Sequence, residues 1–267
     1  MSFQNLLDSL SIGAFFLVFA IIAGTVFEAC YRLGEWWQER TPEDREGPSS
    51  MIVGSLLALM AFLLAITTGM ASDRFDKRRG LVLVEANAIG TTYLRAGYLP
   101  EPASSEIRDL LREYVSLRIV TDDLADLRVR MARSVELQTK LWSIAEELAR
   151  ATPESDVLAL FIDSLNNMID LHETRVTAAV YARVPETILL LLLFGSILTL
   201  GVVGYNTGLT RRRDSITALV MIIVLGAVIT LVVDLDRPRD GFIKVNQQPL
   251  IDLQEQVGTL RPANPLK

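Results

Sequence analysis

Four long stretches of apolar residues constrain the fold of this chain more than any other feature of its sequence. They cover about residues 12–27, 51–72, 185–205 and 216–233, and Glu186 is the only charged residue within them. A helix that crosses the hydrocarbon core of a bilayer needs roughly 20 such residues. The pattern therefore predicts an all-α membrane protein with four transmembrane helices.

The first apolar stretch also has the length of a secretory signal, but its flank does not fit one. Residues 1–11 contain no Lys or Arg, which the first region of a signal carries. We expect this stretch to be retained as the first span. Glu28 near its end is expected to pair with Arg32, one helical turn away.

About 110 residues between the second and third spans predict a large helical body outside the membrane. Apolar residues recur there three or four positions apart, for example from Ile107 to Met131, as on one face of an amphipathic helix. The two prolines of LPEP (99–102) interrupt one helix. Thr152, directly before Pro153, is the expected N-cap of another.

These signals divide the chain into four regions. The body is predicted to contain helices at about 73–98, 104–150 and 154–183, the middle one a hairpin or a bent helix, the outer two continuing spans two and three. The regions are the first two spans at 1–72, the body at 73–184, the last two spans at 185–233, and a short C-terminal tail at 234–267 that packs on the body.

The second span has two distinct faces. One is a stripe of small residues that includes Gly54 and Gly69 and favours close packing between helices. The other is apolar and carries Leu59, Phe62, Ile66 and Met70. Such a face suits contact with lipid or the core of a helix bundle. When several subunits repeat it, the same face suits a ring that narrows a pore and gates it by dewetting.

Glu85 and Asn87 lie among aliphatic residues shortly after the second span. A buried carboxylate is costly unless it is paired, hydrogen-bonded or neutral. We predict a polar clamp between helices or subunits, made by Glu85, Asn87 and a counter-ion that is either Arg78 or an arginine of another helix. An ion or ligand site is the alternative.

Three carboxylates follow one another closely at the end of the fourth span. Asp234, Asp236 and Asp240 can converge on a hard cation such as calcium. Arg237 and Arg239 lie between them, however, so salt bridges that fix a tight turn are favoured over the cation site.

The sequence contains no pattern typical of an enzyme or of a nucleic-acid-binding protein. It has no glycine-rich phosphate loop, and its single histidine, His172, has no second metal ligand one helical turn further on. The net charge of −6 offers no basic surface for nucleic acid. We therefore expect no enzymatic activity, no cofactor, no bound metal and no nucleic-acid partner.

Three segments resemble the bestrophin-like family of bacterial membrane proteins, and the resemblance covers about residues 51–253. They are ASDRFDKRRGLVLVEANAIGTTYLRAGYLP from Ala71 onward, ARVPE before the third span, and DLDRPRDGFIKVNQQPL after the fourth. The family is distantly similar to bestrophins, which are homopentameric ion channels with four membrane helices per subunit, an intracellular helical body and an apolar neck. The acidic cluster of the bestrophin calcium clasp is not seen here, so calcium gating is not carried over.

The resemblance implies a homo-oligomeric, pentameric ion channel in a bacterial inner membrane, with the body and both termini in the cytoplasm. Its partners are then other copies of the chain, the lipid bilayer and a permeant inorganic ion. On this reading Phe62, Ile66 and Met70 form the pore constriction, and Asp73 and Arg74 lie at the pore mouth. The alternative is a non-conducting membrane sensor or scaffold that binds a partner protein through its extramembrane helices.

Overall fold

The computed structural model describes residues 3–40, 49–120, 123–210, 215–237 and 241–259, and this part of the chain is almost entirely helical, without a strand. The predicted all-α class is therefore confirmed. The helices are α1 (Phe3–Ser9), α2 (Ile12–Arg40), α3 (Ser49–Ala96), α4 (Ala103–Arg118), α5 (Leu124–Ala151), α6 (Asp156–Val180), α7 (Glu186–Leu209), α8 (Ser215–Asp236) and α9 (Gln248–Thr259).

Four of these helices, α2, α3, α7 and α8, are long and apolar enough to cross a membrane. Each contains one of the predicted apolar stretches, so the prediction of four spans is confirmed. α3 has 48 residues and is roughly 70 Å long at a rise of about 1.5 Å per residue. Since the hydrocarbon core is only about 30 Å thick, α3 continues well beyond the membrane, as its sequence predicts.

Met1–Phe75 and Ala182–Lys244 form one compact unit, which holds α1, α2, the first part of α3, α7 and α8. Its closest helix pairing joins α2 and α7. Gly208 of α7 lies so near α2 that an added Cβ would be 2.9 Å from the amide nitrogen of Glu35, and Gly204 makes a similar approach to Phe27. Small residues allow helix backbones to approach closely in lipid, so these glycines determine how α2 and α7 pack.

Asp76–Tyr181 and Val245–Lys267 form a second compact unit with a core of its own. This unit is the body, to which the C-terminal segment from Val245 onward adds. The rest of α3 belongs to it, together with α4, α5, α6 and α9. The largest side chains buried in this core include Tyr93, Tyr114 and Phe161. The apolar face of α9 contributes Leu250, Leu253 and Val257 to the same core.

The predicted helix at 104–150 is a pair of helices, α4 and α5, that contact each other. Of the two alternatives, the hairpin is the one observed. α5 begins after Asp123, whose carboxylate accepts a hydrogen bond from the amide of Ala125 at 2.8 Å. This N-cap satisfies one of the amides that a helix start leaves without a partner inside the helix.

The prediction that the last helix of the body runs on into span three is wrong. α6 ends at Val180, and Pro185 is the N-cap of α7. Proline has no amide hydrogen and disfavours helical geometry at the residue before it, which favours a break here, and the chain is out of the helix from Tyr181 to Pro185.

The start of α6 also differs from its prediction. Its N-cap is Ser155, whose hydroxyl accepts a hydrogen bond from the amide of Leu158 at 3.3 Å. Thr152 is instead the C-cap of α5. Both residues can cap a helix, so the sequence alone did not choose between them.

Candidate functional site

The membrane part of α3 exposes the apolar face that the sequence singled out. Phe62 is 62 % exposed and Ile66 is 45 % exposed, while Met70 is half-buried. The opposite face of the same helix is buried and contains Met60, Thr67 and Ala71. α3 therefore packs on its own chain with one face and presents an apolar face to whatever lies outside the chain.

The stripe of small residues on α3 is exposed as well. An added Cβ at Gly54 or at Gly69 would meet no atom within 4 Å. Among the described residues, no helix packs closely at these two glycines, so the close packing that this stripe favours remains available for contact with another helix.

Asp73 and Arg74 directly follow the apolar face along α3. Asp73 is exposed and Arg74 is half-buried. Since α3 is unbroken from Ser49 to Ala96, Asp73 lies roughly 16 Å from Phe62 along the helix axis, at about 1.5 Å per residue. A charged side chain thus stands at the end of the apolar face.

The body contains a buried charge centre, formed by Glu85 of α3, Arg118 of α4, Arg175 of α6 and Gln247. Glu85 is fully buried, and its Oε1 accepts a hydrogen bond from Arg118 Nε at 2.7 Å. Its Oε2 accepts a hydrogen bond from Arg175 Nη1, which also donates to the carbonyl oxygen of Arg118 at 3.2 Å. Arg175 Nη2 donates to Gln247 Oε1 at 2.7 Å.

This centre joins three helices and the segment that leads into α9. Two guanidinium groups face one carboxylate, so the side chains carry a formal charge of +1 inside the body. Charges taken out of water are tolerated only when they are paired and hydrogen-bonded, and removal of one partner leaves the others uncompensated. The centre therefore fixes the relative positions of α3, α4 and α6.

The residues of the predicted polar clamp lie in different environments. Glu85 is in the buried centre, whereas Asn87 is exposed and lines an open groove of about 500 Å³ between α3 and α9. Arg78 is buried. The two arginines that bind Glu85 come from other helices, which was one of the two alternatives for its counter-ion.

Sequence reasoning did not single out Arg118 and Arg175, although both carry a recognisable signal. Arg118 follows Leu111 and Tyr114 at spacings of seven and four, which places a charge on the apolar face of α4. Arg175 similarly follows Met168 by seven positions on the buried face of α6. An arginine on a buried helix face indicates a buried partner of opposite charge.

A second polar group lies beside the charge centre. Gln138 Nε2 donates a hydrogen bond to the hydroxyl of Tyr114 at 3.0 Å, and this hydroxyl lies 3.4 Å from Nδ1 of His172. Burial raises the pKa of Tyr114 to about 12. Burial, followed by the positive charge of Arg118, lowers the pKa of His172 to about 4. Both side chains are therefore neutral at pH 7.

Asp234 and Asp236 are buried and bind different parts of the chain. Asp234 accepts hydrogen bonds from the amides of Phe242 and Ile243, at 2.9 and 3.1 Å. Asp236 accepts one from the amide of Val184 at 2.6 Å and one from Arg183 Nε at 3.2 Å. The two carboxylates thus hold the backbone at the end of span four and before span three.

The third residue of the predicted cation site, Asp240, lies outside the described residues. Within the part of the chain that the structure describes, no group of three or more His, Cys, Asp and Glu side chains is placed to hold a metal ion.

The exposed face of α3 and the buried charge centre have different chemical capacities. The exposed face of α3 is apolar, so a ring of such faces would exclude or admit water according to its width. The charge centre is closed and internally paired, which suits it to positioning helices.

A family comparison matches residues 13–250 of the chain to the bestrophin-like domain. This range contains all four span helices and most of the body. A comparison with curated protein sequences gave no match.

Several solved structures share the fold. A bacterial bestrophin homologue from Klebsiella pneumoniae has a TM-score of 0.60 at 16 % sequence identity, with 91 % of this chain and 94 % of that chain covered. A single-residue variant of the Klebsiella protein gives a TM-score of 0.68 at 16 % identity, covering 93 % and 96 % of the two chains. A crystal structure described as a membrane protein gives 0.66 at 17 % identity, covering 96 % and 99 %.

Proposed function

Because the chain belongs to the bestrophin-like family, we propose that it is a homo-oligomeric ion channel, with five copies around a pore lined by α3. The observation that carries this proposal is the exposed apolar face of α3, led by Phe62 at 62 % and Ile66 at 45 % exposure. The similarity of fold to the bacterial bestrophin homologue from Klebsiella pneumoniae supports it.

The constriction follows from what α3 presents outside its own chain. When copies of α3 surround an axis, Phe62, Ile66 and Met70 form three successive apolar rings about one helical turn apart. A narrow apolar ring empties of water and stops ions, and a wider one conducts. The stripe of small residues beside this face lets neighbouring copies of α3 approach closely.

The mouth of the pore lies at Asp73 and Arg74. An exposed carboxylate repeated by every copy concentrates positive ions locally, while Arg74 has the opposite effect. The charged side chains that face the pore therefore influence which ions enter it.

The span helices place the protein in a membrane, and we propose a bacterial inner membrane with the body and both termini in the cytoplasm. In this arrangement the charge centre around Glu85 acts as the polar clamp, because it holds the body part of α3 against α4 and α6.

The test is current through planar bilayers that contain the purified full-length protein. We expect wild-type protein to conduct and Phe62→Ala to conduct more, because a smaller side chain widens the ring. Leu57→Ala is the matched control, since Leu57 is also apolar and 39 % exposed but lies on another face of α3. Absence of current in both the wild type and Phe62→Ala would overturn the proposal.

Light scattering of the detergent-extracted protein then separates the channel from the non-conducting scaffold. A pentamer supports the channel. A dimer with α3 facing lipid would favour the scaffold, for which the exposed Val129 and Leu160 of the body offer contact surface.

A further inference from the structure

A cavity of about 200 Å³ lies between α2, α7 and α8 within the membrane-spanning unit. Its wall is open at Gly24, where an added Cβ would meet no atom within 4 Å. Ligand pockets for whole drug-sized molecules measure about 300–1,000 Å³. This cavity is therefore large enough for only part of a molecule whose remainder lies outside it.

The polarity of the cavity changes along its length. α2 ends and α8 begins at the same side of the membrane, so Tyr31 and Ser215 mark the shallow end of the cavity, and Gly24 and Ile222 mark the deep end. Seven residues separate the two ends on each helix, which corresponds to about 10 Å. Polar side chains, including Glu28, line the shallow half, whereas the deep half is apolar. An amphiphile lying along the membrane normal matches this gradient.

The shallow end of the cavity lies close below the lipid headgroups, because Tyr31 precedes Trp36 by five residues, or roughly 8 Å along α2. Trp36 and Trp37 are exposed at 47 % and 46 %, and exposed tryptophans of span ends lie at the level of the headgroups. Arg32 precedes Trp36 by four residues, or roughly 6 Å along the helix. Its long side chain can reach the interface from there.

The charges at this end identify the headgroup. Glu28 lines the cavity, and its carboxylate binds Arg32 Nε at 2.9 Å, while the side chain of Arg32 remains 75 % exposed. A carboxylate and a guanidinium side by side complement a headgroup that carries both charges. The guanidinium binds phosphate, and the carboxylate together with the ring of Phe27 suits an ammonium group.

We propose that the cavity between α2, α7 and α8 binds one acyl chain of a zwitterionic phospholipid, whose ammonium group contacts Glu28 and whose phosphate contacts Arg32. The acyl chain enters the apolar half of the cavity past Gly24. This site does not depend on whether the protein conducts ions.

The experiment measures lipid that stays with the protein. Full-length protein is reconstituted in vesicles of equal parts phosphatidylethanolamine and phosphatidylglycerol with identical acyl chains, then extracted in detergent, and the retained lipids are quantified by mass spectrometry. We expect the wild type to retain phosphatidylethanolamine in preference. Gly24→Leu fills the cavity and should reduce the retained amount about tenfold or more, since it denies burial to several methylenes of the acyl chain.

Two variants keep the outcome decisive. Gly13→Leu is the matched control, because Gly13 also lies on α2 with no atom within 4 Å of an added Cβ but outside the cavity. Glu28→Gln does not change packing and should abolish the preference for phosphatidylethanolamine. The proposal is wrong if Gly24→Leu retains as much phosphatidylethanolamine as Gly13→Leu, if the wild type shows no preference for phosphatidylethanolamine, or if Glu28→Gln keeps that preference.

Discussion

Removal of the carboxylate at the buried charge centre should destabilise the body strongly. In Glu85→Ala, Arg118 and Arg175 stay in place without the group that both of them bind. Arg118 is only 7 % exposed and Glu85 is fully buried, so water cannot replace the lost carboxylate without opening the core.

The magnitude follows from this geometry. Breaking a buried ion pair by removing one partner costs about 3–5 kcal/mol, because it leaves an uncompensated buried charge. For a unit of about 130 residues a loss of this size lowers the melting temperature by roughly 10–20 °C. Replacement of all three charged residues by Met should cost much less, since the apolar groups then pack with no charge left behind.

The body needs a probe of its own for this measurement. The chain has three tryptophans. Substitution of Trp36 and Trp37 by Phe leaves Trp142 as the only tryptophan, and Trp142 packs against the core of the body. Its fluorescence during thermal unfolding of the full-length protein in detergent reports on the body.

The control is Glu136→Ala, which removes a carboxylate of the same unit that is 52 % exposed and bound by Arg133 and Lys140. We expect its melting temperature to equal that of the parent within error, because exposed ion pairs contribute little. Equal melting temperatures for Glu85→Ala and Glu136→Ala would refute the argument that the charge centre holds the body together.

Two further predictions concern His172 and Gly208. The pKa of His172 is about 4 in the folded protein, compared with 6.5 in the unfolded chain. As the pH falls, the unfolded state therefore takes up the proton before the folded state does, and the body should lose about 2 kcal/mol of stability between pH 7 and pH 5. In His172→Gln, the melting temperature measured by Trp142 fluorescence should depend less on pH. An unchanged dependence would show that His172 does not cause it. Gly208→Ala should separate α2 from α7 at a cost of about 1–3 kcal/mol, whereas Gly13→Ala, with open space around its Cβ, should not. Thermal denaturation of both variants in detergent checks this, and equal stability would show that α2 and α7 do not need the close approach.

The four membrane spans could be predicted because their signal is local and one-dimensional. A helix in lipid satisfies its own backbone hydrogen bonds, so a long apolar stretch is almost sufficient to define it. The continuation of α3 beyond the membrane was predictable for a similar reason, since no proline interrupts the helix before Leu99. The break between α6 and α7 was missed because Pro185 is the only strong helix breaker in the sequence from Val157 to Tyr205, whereas the chain already leaves the helix at Tyr181.

The contacts of the candidate sites required the tertiary structure. Glu85 stood out in the sequence as a carboxylate among aliphatic residues, but its partners Arg118 and Arg175 lie 33 and 90 positions away, and many arginines were equally available. The sequence also drew attention to the small residues of α3 as a packing stripe. Within the chain, the close approach is made instead by Gly204 and Gly208 of α7 against α2.

The sequence by itself determined the class of protein, the number of spans and the apolar character of the second span, because each depends on the composition of one continuous segment. Only the tertiary structure decided which face of α3 its own chain covers, which arginines neutralise Glu85, and that a cavity opens beside Gly24. These properties depend on distances between segments remote in the chain. A membrane span is apolar on every side, so the hydrophobic pattern of α3 does not show which face packs on its own chain, and it carries no information about which neighbour makes the contact.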